Sequence, residues 1–266
     1  MEFKKTYCLI FLFLQACSSV RVQIPYAEVS SPQINEAKDL SLAFSDPPAN
    51  SFTLDGVRSR PPNFAEETKL SGVGAGQIRY GLIPGLELGG GVLWPSGQGF
   101  FDVGFLIKGK FQILGQQSAF NESPLMLSVF AHYKHLSGQS SGDQKTAGGS
   151  GGYPWKASLA SKTTDYGASL GYLISLPSIL PYVGYSEGRG TAELKLDQNS
   201  NASNEPDPGG SWERSYDVET KTTALGLSFV REKWNFDLQY QWHNGTVATK
   251  NINSNAVSAV FNVILK

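Results

Sequence analysis

Between Trp234 and Trp242 the chain reads Trp-Asn-Phe-Asp-Leu-Gln-Tyr-Gln-Trp, with every even position aromatic or aliphatic and every odd position polar or charged. A strict period of two sends successive side chains to opposite faces of a β-strand, so this segment has one apolar face and one polar face. A chain built from such segments must fold as a sheet that separates two environments.

The same period recurs from Gly72 onward. Over Gly72 to Leu82 the even positions are Gly or apolar, while Gln77 and Arg79 stand between them. Ile83-Pro84-Gly85 then reads as a turn, and Leu86, Leu88, Val92 and Trp94 resume the apolar set with Glu87 on the other face. A two-residue Pro-Gly turn would place Leu82 opposite Glu87, so matching the faces calls for a three-residue turn. Further alternations run through Phe101 to Ile113, Leu125 to Lys134, Tyr166 to Ser175, Leu225 to Phe229 and Val257 to Leu265, with a less regular strand over Leu180 to Leu194. A short alternation at Leu40, Leu42 and Phe44 precedes them; Pro47 and Pro48 end it, and the stretch through Pro61 and Pro62 reads as a loop. No helical period competes.

Net charge is −1 and no basic run occurs, so the electrostatic footprint of a nucleic-acid binder is absent. Past the first residues no apolar run approaches the roughly eighteen residues that a transmembrane helix needs. The three histidines, His132, His135 and His243, lack metal-ligand spacing, and no nucleophile elbow, P-loop or paired-cysteine motif is present. No catalytic residue, metal or cofactor is therefore assigned. Gly72-x-Gly74-x-Gly76 lacks the following helix of a phosphate-binding loop and reads as glycines easing a curved wall.

At the start, Lys4 and Lys5 precede an apolar stretch from Tyr7 to Leu14, the layout of a secretory signal. Its end, Leu14-Gln15-Ala16-Cys17-Ser18, resembles the lipobox of bacterial lipoproteins. That resemblance implies cleavage before Cys17, a lipid on Cys17 and, from Ser18, transfer to the outer membrane. Cys8 would be lost with the signal, so no disulfide is expected. Residues 1–16 are read as signal, 17–37 as a lipidated tether and 38–266 as one β-domain.

The polar stretches 139–163 and 197–215 are long, whereas Pro177-Ser178 and Glu232-Lys233 are tight. In outer-membrane barrels long loops face outward and short turns face the periplasm. Strict alternation then makes Ile83 to Gly85 periplasmic and requires an ascending strand before Gly72, which only Leu40 to Phe44 supplies. The count becomes about ten, with both chain ends in the periplasm.

In the run Gly72 to Trp94, with its Tyr80-Gly81-Leu82 and Leu86-Glu87-Leu88-Gly89 segments, and in its terminal alternating strand, the chain resembles Gram-negative outer-membrane β-barrel proteins. The resemblance implies an antiparallel up-and-down transmembrane β-barrel, outer-membrane lipid and the barrel-assembly machinery as partners, and a porin-like wall. The chain departs from the usual aromatic last residue, ending Leu265-Lys266 with Phe261 further back. The alternative fold is a lipid-tethered soluble barrel whose apolar face lines a ligand cavity.

For a membrane barrel the polar face lines the lumen: Arg79, Glu87, Asp102, Lys108, Lys110, His132, Lys134, Asp237, Gln239, Gln241 and His243. Those residues either line a narrow pore or form a salt-bridged plug, and a barrel of this size favours the plug. The expected role is structural or surface interaction, or a minor pore. An extracellular ligand would meet the two long loops, where Tyr153-Pro154-Trp155 and Trp212 sit. A remote reading groups His243 with Asp165, Glu187 and Asp217 at the outer rim as a peptidase centre.

Overall fold

The computed structural model describes residues 20–46, 48–55, 63–96, 103–118, 120, 122–145, 152–175, 178–198, 211–247 and 250–265. Its strands are β1 (Val20–Pro25), β2 (Leu40–Ser45), β3 (Pro48–Asp55), β4 (Asn63–Ile83), β5 (Leu86–Ser96), β6 (Val103–Leu114), β7 (Leu125–Lys145), β8 (Gly152–Tyr172), β9 (Ile179–Gln198), β10 (Ser211–Val230), β11 (Trp234–Val247) and β12 (Lys250–Leu265).

From β4 to β12 each strand pairs antiparallel with the next. The sheet closes where Val260–Leu265 of β12 pairs with β2, from Val260↔Ser45 to Leu265↔Leu40. Strands β2 and β3 lie end to end along one edge of β4, with Leu40↔Tyr80 and Pro48↔Gly72, so they are two halves of one stave. The result is a closed antiparallel barrel of ten staves. The segment Leu40 to Phe44, required on parity alone, is thus a strand of the wall.

Apart from the irregular run of Leu180 to Leu194, the apolar sets read from the period point outward wherever their residues are described. Ile78, Leu88, Val103, Ile107, Leu170, Leu238 and Phe261 are exposed, while Gln77, Arg79, Glu87, Lys108, Lys110, His132 and Asp237 are buried inside. The strands therefore do not adopt the alternative in which the apolar face lines a cavity. The indole of Trp94 lies across Gly74 and Gly76; a β-carbon would have no room at Gly74 and a tight fit at Gly76, so these glycines make space for an outer-face aromatic.

Four sequence expectations change. The β4–β5 connection is the two-residue turn Pro84-Gly85, with Gly85 at φ 84°, and a bulge between Gly81 and Ile83 restores the register that the extra turn residue was expected to supply. The loop expected after Pro48 is instead β3 as far as Asp55, with Pro48 at its first position, where a missing N–H is tolerated. Most of 139–163 is strand, and so are 197–198 and 211–215 at the two ends of the second stretch, residues 199–210 lying outside the described set: β7 and β8 pair up to Lys145↔Gly152, and β9 and β10 up to Asp197↔Ser211. Ser, Thr and Gly carry those rungs by backbone hydrogen bonds, which leave no apolar period in the sequence.

The fourth change concerns 17–37. Val20–Pro25 pairs with β3, and residues from Ile24 to Asn35 are almost all buried. The chain runs down inside the barrel and reverses into β2 through a turn at Glu36–Asp39, where Lys38 N donates to Gly81 O (2.6 Å) and Gly81 N to Asp39 O (3.0 Å). Leu265 lies at the short-turn end as expected, whereas Val20 lies opposite Leu54 at the long-hairpin end.

The interior has zones. Toward the long hairpins Leu93, Leu106, Leu136, Leu159, Leu194 and Ile252 pack on Ile24 and Tyr26. At the short-turn end Met126, Leu173, Leu180 and Tyr182 form a second apolar cluster. Leu180 and Tyr182 face inward there, which is why the alternation of β9 was irregular.

A β-carbon on Gly81 would collide with the carbonyl of Glu36. Gly81→Ala is expected to break the two turn hydrogen bonds and cost roughly 1–3 kcal/mol, at the usual net value of 0.5–1.5 kcal/mol for each. A lowered urea midpoint for the refolded barrel checks this.

Candidate functional site

The chemistry of this chain is concentrated in the lumen, where the segment Tyr26 to Asn35 meets the polar faces of the wall. An extended segment offers its backbone groups and short side chains in all directions, so strands around it can each supply a partner. Ala27 N donates to Thr220 Oγ1 at 3.1 Å, Glu28 N to Asp165 Oδ2 at 3.2 Å and Asn35 N to Glu87 Oε2 at 2.9 Å. In return the carbonyls accept: Tyr26 O from Lys134 Nζ at 2.6 Å, Val29 O from Gln239 Nε2 at 3.2 Å, and Pro32 O from both Gln112 Nε2 (2.9 Å) and Ser128 Oγ (2.6 Å). Lys110 Nζ donates to Ser31 O at 3.4 Å and also to Gln33 O.

Charge is matched the same way. Among the described residues the wall buries four cations, Arg79, Lys108, Lys110 and Lys134, against three acids, Glu87, Asp165 and Asp237. Glu28 of the threaded segment supplies a fourth acid, 3.8 Å from Lys108 Nζ. Lys110 lies 3.7 Å from Glu87, and Lys134 lies 2.5 Å from Asp165. Arg79 holds Gln77 Oε1 through Nε (3.1 Å) and one terminal nitrogen (3.0 Å). Burying such charges is tolerable only when each is paired and hydrogen-bonded.

Ten of the eleven residues read as lumen-lining are buried on the inner face; Asp102 falls outside the described residues, as does Cys17. Gln239 and Gln241 are joined at 2.6 Å, and Gln241 also donates to Ser258 Oγ at 2.7 Å. His243 stacks on Tyr26 with ring centres 4.1 Å apart, its Nδ1 2.9 Å from Thr222 Oγ1. The side chains of Tyr153, Trp155 and Trp212 also lie outside the described set.

The peptidase grouping is not assembled. Asp165 points inward and pairs with Lys134, whereas Glu187 lies on the outer face between Tyr166 (3.0 Å), Tyr185 (2.7 Å) and Lys221 (3.7 Å), and Asp217 is exposed. A different serine–histidine–carboxylate line exists: Ser30 Oγ is 3.2 Å from His132 Nε2, and His132 Nδ1 is 3.9 Å from Asp165 Oδ2. It does not have the geometry of an activated nucleophile, because Asp165 is out of hydrogen-bond reach of Nδ1 and is committed to Lys134 and the Glu28 N–H. All three side chains are buried, so a substrate has no approach. The line is a latch that fixes the threaded segment. Sequence reasoning missed Ser30, Glu28 and Tyr26 because a single extended pass carries no periodic signal.

At the short-turn mouth a cleft of about 300 Å³ is bordered by Gln33, Asn35, Asp39, Gln117, Arg231 and Glu232. Among the described residues no group of three or more His, Cys, Asp or Glu is placed to hold a metal.

No protein-family model and no curated protein matches this chain. Among solved structures it is similar to the outer membrane protease OmpT from Escherichia coli, at 9% identity over 94% of this chain and 95% of that one, with a TM-score of 0.34. It is also similar to the outer membrane protein OprD from Pseudomonas aeruginosa, at 10% identity over 91% and 97% of the two chains, with a TM-score of 0.17. At these scores the description of the fold rests on this chain's own strand pairing.

Replacing Lys134 by Met leaves Asp165 buried without its cation. Lys134→Met is expected to destabilise the folded barrel by about 3–5 kcal/mol, and the double replacement Lys134→Met with Asp165→Leu by clearly less. Urea unfolding followed by tryptophan fluorescence reads both.

Proposed function

We propose that this protein is an outer-membrane β-barrel closed by its own N-terminal segment, serving as a structural or surface-interaction element rather than as an open pore. The observation that carries the reading is the threaded segment: between Tyr26 and Asn35 its carbonyls, amides and Glu28 engage the lumen cations and polar groups that would otherwise face water in a channel. Barrels near eight strands are filled by their own side chains, and a ten-stave barrel with a strand inside it is filled further.

Membrane residence is supported by the outer face. A water-soluble barrel would not leave Ile107 57% exposed among Phe105, Val103, Val92 and Ile78, whereas a lipid-facing wall requires this belt. Trp234 and Tyr240 on the same face suit an interfacial girdle. The long hairpins β7–β8 and β9–β10 then stand outside the cell, where they present surface for an extracellular ligand, and the short turns stand in the periplasm. Outer-membrane lipid covers the belt, and the barrel-assembly machinery is the route of insertion. A lipid on Cys17 adds a second attachment.

Two measurements test this. Ile107→Arg is expected to lower the unfolding free energy by roughly 2–4 kcal/mol in phospholipid vesicles, the value for a cation on a lipid face near mid-bilayer; a change within about 0.5 kcal/mol is the mark of a water-exposed surface position. Planar-bilayer recordings of the intact protein should show no stepwise conductance. Steps that change when Lys108 or Lys110 is neutralised would mean that the lumen conducts.

A further inference from the structure

Among the described residues the wall is incomplete at one place, and the N-terminal segment passes through it. Strand β12 runs from Lys250 to Leu265, yet it pairs with β2 only over Val260–Leu265. Continuing that ladder past Asp46 would require partners at Pro47 and Pro48, neither of which has an N–H to donate. The edge of β3 that β12 leaves free is taken by β1, in register from Pro25↔Ala49 to Val20↔Leu54. At the crossing, Tyr26 stacks on His243 of β11 and accepts a hydrogen bond from Ser254 of β12 at 2.7 Å.

Going backward from Tyr26, the chain therefore climbs toward the long hairpins. Leu54 lies fourteen positions beyond Leu40 on the same stave. At 3.3 Å per residue that is roughly 45 Å of strand, and at the usual barrel tilt roughly 35 Å along the axis. Cys17 precedes Val20 by three residues, a reach of at most about 11 Å. A hydrocarbon layer is about 30 Å thick. An N-terminus tethered at the level of Leu54 cannot return to the leaflet at the short-turn end.

We infer that the Val20 end of the chain stands on the same side as the long hairpins, so that a lipid on Cys17 is displayed at the extracellular leaflet rather than the periplasmic one. Which side counts as extracellular rests on the orientation given under Proposed function; the threading itself does not. The chain is held across the barrel by the lumen contacts, with its lipid end outside and its first wall strand starting at the periplasmic end.

The test is single-cysteine labelling of intact cells with a membrane-impermeant maleimide, comparing Arg21→Cys with Lys145→Cys in the long hairpin and Lys233→Cys in a short turn. A lipidated Cys17 is a thioether and stays silent, which the unsubstituted protein verifies. The expected result is that Arg21→Cys and Lys145→Cys label in intact cells and Lys233→Cys only after permeabilisation. Arg21→Cys behaving like Lys233→Cys would overturn the inference. If Arg21→Cys and Lys145→Cys label together only after permeabilisation while Lys233→Cys labels in intact cells, the orientation falls and the threading stands. As a second readout, Arg21→Cys with Thr53→Cys, register partners across β1 and β3, should form a disulfide in the folded protein. Failure of that crosslink would also overturn the inference.

Discussion

Four cations buried in a narrow lumen set the terms for everything else in this molecule. Arg79, Lys108, Lys110 and Lys134 face inward because the opposite faces of their strands are apolar and point out, and a strand cannot do otherwise. A closed barrel of this width has too little room to solvate them freely, and among the described residues the wall buries three acids against these four cations. The N-terminal segment resolves both problems: it brings the Glu28 carboxylate, a row of backbone carbonyls and the volume that fills the bore. The threaded segment is thus the counterpart of the charge pattern of the wall.

The same segment explains the seam. Pro47 and Pro48 would be poor choices in the middle of a paired stave, since each removes a ladder hydrogen bond. Here they mark the place where β2 gives way to β3 and the neighbour changes from β12 to β1. The turn at Glu36–Asp39 is pinned to Gly81 at the opposite end, so the threaded chain is fixed at both mouths as well as along its length. Polar contacts dominate the middle, while Ile24 and Tyr26 pack into an apolar zone above and Tyr182 and Leu180 into another below. Packing of this kind resists sliding, because a one-residue slip would misplace every carbonyl relative to its donor.

Much of this wall was legible in the sequence. Period-two alternation located the strands from β4 to β12, and the direction of the apolar faces agreed with a membrane-type barrel. Topological parity recovered β2 from three apolar residues. The need to keep Leu82 from standing opposite Glu87 across the turn was also anticipated, although a bulge rather than a longer turn meets it, with Gly81 opposite Glu87. Three features were not legible, each for a physical reason. The upper rungs of β7 to β10 are held by backbone hydrogen bonds between polar residues, so they read as loops. Tyr26 to Asn35 is one extended pass with no repeat, and its proline and two serines are those of a linker. Inner-face leucines such as Leu106 and Leu136 carry the interior packing of Ile24 and Tyr26, but sit beside outer-face apolar residues and hide in the alternation.

The central claim is that the N-terminal segment is a structural part of the lumen. Hydrogen exchange of its backbone amides, with the barrel folded in lipid, tests this most directly. The amides of Ala27, Glu28 and Asn35 donate to Thr220, Asp165 and Glu87 respectively, and they should exchange as slowly as amides of the neighbouring wall strands. Exchange of these three amides at the rate of an unstructured tail, while the wall stays protected, would contradict the account.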